Sequence, residues 1–313
     1  MKSALEVVIA VALAAALPAL VSADSDTGLG GAPGPVQEAE PGQPPPPVES
    51  SPVYLKDRGT GIRTSMFGTY VRRGELLVYP FFEYYWDQNI QYKPSEFGYG
   101  LDRDFRGRYR ASEGLTFFAY GLTDRLAIEV EAAVIRASLR KAPDDFSSMP
   151  ETLKEAGLGD VEGQLTWRWA KENAHRPEFF SYCEVVFPHH RDKVLIGTPD
   201  WELKAGAGVI RGMKWGTLTA RVAIEYIRAS DSPFDVGEWA VEYLKRVSPS
   251  WRIYVGVEGQ ALDEVSLITE AQWSLNRHVT IKLNNGLGLT PNATDWAPEV
   301  GILLSFPARA HKP

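Results

Sequence analysis

The chain has 313 residues, 33 Lys and Arg against 40 Asp and Glu, a formal net charge of -7, and one cysteine. That mild acidity argues against a nucleic-acid partner, which selects a basic face. The lone Cys183 leaves no internal disulfide and no cysteine metal site, and no cofactor or metal is expected.

Residues 1–23, MKSALEVVIAVALAAALPALVSA, read as a signal peptide: Lys2, an apolar stretch through Leu17, the helix breaker Pro18, and small residues at Val21 and Ala23 before the expected cut. A retained helical anchor fits less well, because the run is short and interrupted. Asp24 follows the cut in place of a cysteine, so no lipid attachment is expected. Residues 24–52 replace core-forming side chains with Pro, Gly and Glu, the composition of an extended, disordered periplasmic linker. Residues 53–73, VYLKDRGTGIRTSMFGTYVRR, carry glycines every few positions and no sustained period.

From residue 74 to 306 the chain changes character. Strand-like segments rich in Val, Ile, Tyr, Trp, Phe and Thr recur near 75–87, 108–120, 125–137, 161–170, 178–187, 201–211, 217–227, 238–247, 251–260, 265–274, 279–288 and 297–306. Their connections alternate in kind. GLTDR at 121–125, KENAHRP at 171–177, KWG at 214–216, SPS at 248–250 and LNRH at 275–278 are the shorter set. The stretches 87–105, 136–160, 188–200 and 228–237 are long, although ALDE and TPNATD, later in the same series, are short. A meander with tight turns at one end and long loops at the other predicts an all-β fold, a transmembrane antiparallel up-and-down β-barrel of about twelve strands. The even count puts both termini on the tight-turn, periplasmic side of a bacterial outer membrane. Residues 307–313 form a tail.

Within GLTDRLAIEVEAAVI, Glu129 and Glu131 alternate with Leu126, Ile128, Val130 and Val134. A strand puts the two carboxylates on one face and the aliphatics on the other, whereas a helix would drive one glutamate into its apolar side. In a membrane barrel the aliphatic face meets lipid and the glutamates enter the lumen. Trp86, Trp167, Trp169, Trp215, Trp239, Trp251 and Trp296 lie near strand ends, where interfacial girdles form. A soluble sandwich or lipocalin-like barrel shows the same alternation with faces reversed; the strand count and the terminal aromatics favour the membrane. Phe306 closes the last strand and resembles the signal read by the barrel-assembly machinery during biogenesis.

RRGELLVYPFFEYYWD, GLTDRLAIEVEAAV, GLGDVEGQLTWRWA and VVFPHHRDKVLIGTPDWELKAGAGV resemble recurrent segments of the MetA-pathway of phenol degradation family, over about residues 72 to 306. The resemblance implies an outer-membrane β-barrel transporter, passing hydrophobic or aromatic compounds. At FPHHRDK the chain departs from that pattern, with His189 and His190 where Thr-Gly is expected.

Strand parity nominates the lumen-lining side chains: Glu83, Glu129, Glu131, Glu162, Arg168, Glu184, Glu202, Lys204, Arg221, Glu225, Glu242, Arg252, Glu258, Glu270, Lys282 and Glu299. Acids outnumber bases. They either cross-brace a narrow barrel or line a wet pore that favours cations and neutral solutes. Residues 53–73 carry Arg63, Phe67, Arg72 and Arg73, so a basic, aromatic segment drawn into that lumen is a candidate plug, the alternative being a path along the rim. The expected function is a channel for small molecules, with outer-membrane lipid and small-molecule solutes as partners. An outer-membrane lipid-hydrolysing enzyme is the rival, yet only His189 and His190 fall on the outer side and no Gly-x-Ser-x-Gly element accompanies them. A structural barrel with a closed lumen is the third reading.

Overall fold

The computed structural model describes residues 52–189, 192–198, 200–228, 234–260 and 264–307. The expected signal peptide, the linker apart from Pro52, His190, His311 and the tail beyond Pro307 lie outside the described residues. Two short strands, β1 (Ile62–Arg63) and β2 (Tyr70–Val71), pair antiparallel with each other. Twelve longer ones follow: β3 (Leu76–Tyr92), β4 (Phe105–Gly121), β5 (Leu126–Arg140), β6 (Thr152–Ala170), β7 (Glu178–Phe187), β8 (Glu202–Met213), β9 (Gly216–Ile227), β10 (Phe234–Arg246), β11 (Trp251–Gln260), β12 (Glu264–Ser274), β13 (Val279–Gly288) and β14 (Trp296–Phe306). Each pairs antiparallel with its sequence neighbours, and β14 returns to β3 to close the barrel. Closure leaves no unpaired edge, the condition for β-structure in lipid.

The faces sort as alternation requires. On β5, Ile128, Val130 and Val134 are exposed on the outer surface, while Glu129 is 2% exposed. Phe82, Phe118, Val222, Ile224, Val241 and Val300 continue this outward apolar belt around the barrel. A soluble barrel would bury those side chains and expose the glutamates, so the face assignment identifies a membrane barrel. Trp169, Trp215, Trp251 and Trp273 ring the short-turn end, Trp251 stacking on Trp273 at 5.7 Å. Trp86 and Trp296 sit opposite one another near the long-loop end.

Strand ends are where expectation and structure differ. The expected loops 87–105 and 136–160 contract to 93–104 and 141–151, because β3 to β6 run on as one tall wall. The reason is legible on β5: above Val134 the outward residues become Arg136, Ser138 and Arg140, while Ala137 and Leu139 stay buried inward. Loss of outward apolarity marks the exit from lipid, and the ladder continues beyond it. Tyr92, Phe105, Leu139, Ala142 and Met149 build a small core at the top of this wall. The connection after β7 turns back against the same wall, burying Ile196 beside Ala111 and Ala137.

Candidate functional site: the barrel lumen

The segment before the barrel enters the short-turn end. A single 3-10 turn (Val53–Leu55) leads in. Arg58 then donates to Glu172 at 3.0 Å and to Glu178 at 2.9 Å, with the three side chains almost wholly buried. Burial opposes the charge on Arg58, and Glu178 and Glu172 outweigh it, holding the guanidinium pKa above its ordinary value. Arg168 reaches Glu178 at 3.0 Å and donates to the carbonyls of Thr60 and Gly61. Asp57 accepts from the backbone N–H of Arg246 at 2.8 Å.

The β1–β2 hairpin stands on this base. Arg63 donates to Glu242 at 2.5 Å, and Arg221 shares the same carboxylate at 3.1 Å. Ile62 and Val71 pack into a buried cluster with Leu77, Tyr79, Phe117 and Ala127 from the inner wall of β3 to β5. Tyr70 meets the clusters around Phe180 and Tyr254 on the other side. At the tip, Ser65 donates its backbone N–H and hydroxyl to Glu129, both at 2.7 Å, and Lys282 donates to the carbonyl of Phe67 at 2.9 Å. Gly68 has φ +57, a turn conformation that favours glycine, and a Cβ there would press on Gln272 Nε2 at 2.8 Å. Glu129 lies three residues into β5, so the tip rises about 10 Å above the short-turn rim.

The segment then leaves along Gly121, whose backbone exchanges hydrogen bonds with Gly74 and Glu75. Glu75 accepts from the backbone and guanidinium of Arg72 and from the Ser305 hydroxyl. Burial raises the Glu75 pKa, and the Arg72 and Ser305 hydrogen bonds overcome it, leaving the carboxyl below its usual range.

All sixteen parity-assigned residues point to the lumen side; none is exposed. Eleven of them fall into two groups, one around the hairpin and one above it. Glu129, Arg168, Glu242 and Lys282 bond the hairpin directly, as above, and Arg221 does so through Glu242. Glu270 backs Lys282 at 3.0 Å. Glu184 and Lys204 pair at 2.9 Å, with Glu225 at 4.0 Å from Lys204. The second group lies above the hairpin. Glu83, Glu131, Glu258 and Glu299 line a vestibule of about 450 Å³ whose floor is Met66 and Phe67, joined by Phe81 and Tyr85. Glu162 borders a smaller recess beside it. Glu299, Glu83 and Glu113 stand directly opposite one another across β14, β3 and β4, and Glu131 opposes Glu162. No lysine or arginine belongs to the described lining of the larger space. Glu202 sits half-buried at the start of β8, and Arg252 near Arg246 and Asp57.

Of the candidate plug residues, Arg63 and Phe67 are inside, whereas Arg72 and Arg73 stay exposed at the rim. Their charges have no need of the lumen, since Arg72 is satisfied by Glu75 three residues on. Parity missed Glu172, which lies in a turn, and Glu178, at the first position of β7. Glu113 was legible within the expected strand 108–120, where it shares the inward face with Tyr109 and Ala111, but it was not nominated. His189 is exposed, and its backbone N–H donates to Asp160 at 2.8 Å. No group of three or more metal-ligating side chains occurs among the described residues.

No protein-family model and no curated protein matches the chain, so the family resemblance rests on its motifs alone. Solved structures do match. The COG4313 outer membrane channel from Pseudomonas putida F1 is 14% identical, with a TM-score of 0.55 over 75% of this chain and 97% of that one. The translocator domain of the autotransporter NalP from Neisseria meningitidis is 13% identical, with a TM-score of 0.39 over 80% and 91%. At such identity the first likeness establishes a shared outer-membrane barrel fold.

Proposed function

We propose that the protein is an outer-membrane channel for small solutes, closed at its periplasmic end by residues 53–73 folded into the lumen. The observation that carries this reading is the division of one lumen into an open vestibule above and a docked hairpin below. The short-turn end faces the periplasm, since the signal-delivered segment enters there. Glutamates facing glutamates in the vestibule attract cations and repel anions. Phe67, Phe81 and Tyr85 add apolar surface on which neutral aromatic molecules rest. The lining therefore supports passage of small neutral, aromatic and cationic molecules.

Deleting residues 53–70 tests the proposal. Purified wild-type and deleted protein are compared in planar bilayers, and the deletion is expected to raise conductance. Unchanged conductance in a deletion that still folds overturns the plug. A closed structural barrel is the second reading, favoured by the buried pairing of Arg58 with Glu172 and Glu178; two silent records select it. Lipid hydrolysis abolished by His189→Ala would move the assignment to an enzyme.

A further inference from the structure

Outside the lumen, one surface runs against the chain's acidic balance. Along the tall wall above the apolar belt, the outward positions are Arg106, Arg108 and Arg110 on β4, Arg136 and Arg140 on β5, and Lys154 on β6, all exposed. Arg106 is engaged by the carbonyls of Asn89 and Pro291, and Arg140 pairs with Glu151 at 2.9 Å. Arg108, Arg110, Arg136 and Lys154 make no ion pair among the described residues.

The register makes this arrangement specific. Arg108 stands directly opposite Arg140. Ser138 stands opposite Arg110 on one side and Lys154 on the other, and Ser112 opposes Arg136. Long cations thus surround short hydroxyl side chains, leaving a dent of about 550 Å³ bordered by Tyr84, Arg110, Ser112, Arg136, Ser138 and Lys154. Like charges opposed across a ladder are destabilising unless an anion lies between them.

The height of the dent selects the anion. Arg136 follows Val134, the last outward aliphatic of β5, by two residues, about 7 Å along the strand. With the strand tilt of such barrels, that is just outside the hydrocarbon, at the level of lipid headgroups. Tyr84 and Trp86, facing the same surface on β3, suit that interface, and Trp86 lies opposite Arg110.

We infer that the outer wall of β4 to β6 binds the phosphate groups of a phosphorylated lipid in the outer leaflet, Arg110, Arg136 and Lys154 gripping the phosphate and Arg108 supporting them from above. Arginine forks bind phosphate oxygens in pairs and lysine supplies a point charge. The inference rests on the orientation proposed above, with long loops outward; thiol labelling of Ser147→Cys in a Cys183→Ser background from outside intact cells checks that orientation separately.

The test is native mass spectrometry of the full chain in detergent micelles, offered bisphosphorylated lipid A or its dephosphorylated counterpart. The wild-type protein is expected to retain the phosphorylated lipid and release the other. Each substitution among Arg108→Gln, Arg110→Gln, Arg136→Gln and Lys154→Gln should lower retention roughly fivefold. The variant carrying Arg110→Lys and Arg136→Lys should keep most of it. Equal retention of both lipids, unaltered retention when all four cations are replaced, or displacement by inorganic phosphate alone would overturn the assignment. If the fourfold variant does not fold, Arg110→Gln and Lys154→Gln decide singly.

Discussion

Arg58→Ala removes the only guanidinium that the docked segment places between Glu172 and Glu178. The side chains of Arg58, Glu172 and Glu178 are 1%, 0% and 2% exposed, so the substitution strands two carboxylates away from water. Breaking a buried pair from one side costs about 3 to 5 kcal/mol. Here Arg168 remains 3.0 Å from Glu178 and Arg211 remains 3.5 Å from Glu172, which places the loss at the low end, about 3 kcal/mol. The cation comes from the segment and the carboxylates from the barrel, so the loss falls on docking of the segment rather than on the strands. The ratio of docked to undocked protein should drop roughly a hundredfold. Planar-bilayer recording reads this as a rise in the fraction of time spent open. Arg58→Lys should fall between, because an ammonium engages the two carboxylates less well than a planar fork. An open fraction within about threefold of wild type, in protein whose thermal unfolding is unchanged, would refute the reasoning. A lowered unfolding temperature with no added opening would instead make Arg58 a brace of the barrel.

Val130→Arg, on the lipid face near the midplane, should cost about 2 to 4 kcal/mol in refolding into vesicles. No loss there, combined with a large loss for Glu129→Gln, would reverse the assignment of faces. Glu75 has a depressed pKa when folded, so its contribution is complete above the ordinary carboxylate value near pH ~4.3 and is lost as pH falls through the lower folded value. The excess thermal stability of wild type over Glu75→Gln should therefore shrink as pH falls below the ordinary carboxylate range and be gone once the folded carboxyl is protonated; an excess that does not change with acidification denies the Arg72 and Ser305 contacts their role. Glu83→Gln with Glu113→Gln should shift the reversal potential of the 53–70 deletion toward weaker cation preference, and an unmoved potential would take those carboxylates out of the conduction path.

The twelve strands were legible because alternation in a membrane barrel is redundant: every strand must repeat it, and a one-residue slip would put Glu129 in lipid. Parity alone therefore sent Glu129, Glu242 and Lys282 to the lumen. Alternation carries no sign, however, and Ile128 and Val130 on the exposed face of the folded barrel supply it. What the sequence hid was contact at long range. Arg58 lies 114 residues from Glu172 and 120 from Glu178, with no local pattern joining them. The β1–β2 hairpin was equally opaque, since two-residue strands leave no period. Its apolar residues Ile62 and Val71 are explained only by the inner wall they meet. Strand ends above the belt were misread for a definable reason: outward residues such as Arg106 on β4 and Ser138 and Arg140 on β5 look like loop to a pattern that expects aliphatics.

If residues 53–73 act as the proposed plug, the same division of charge determines what opening does. At the base, Arg58 and Arg63 from the segment neutralise Glu172, Glu178 and Glu242 from the barrel. When the segment withdraws, those two cations leave together with Lys56 and Asp57, so the lumen loses two net positive charges while the wall keeps every one of its carboxylates. The vestibule above was acidic already. Opening therefore extends the acidic lining toward the periplasmic mouth, and the pore becomes more selective for cations as it widens. Rings of carboxylates act most strongly where the passage is narrow and water is scarce, and the base, walled by Phe180 and Tyr254, is such a place. Removing the segment should thus move the reversal potential toward the cation limit along with the rise in conductance. A larger but unselective pore would mean that the freed glutamates are neutralised by Arg168, Arg211 and Arg221 as soon as the segment departs.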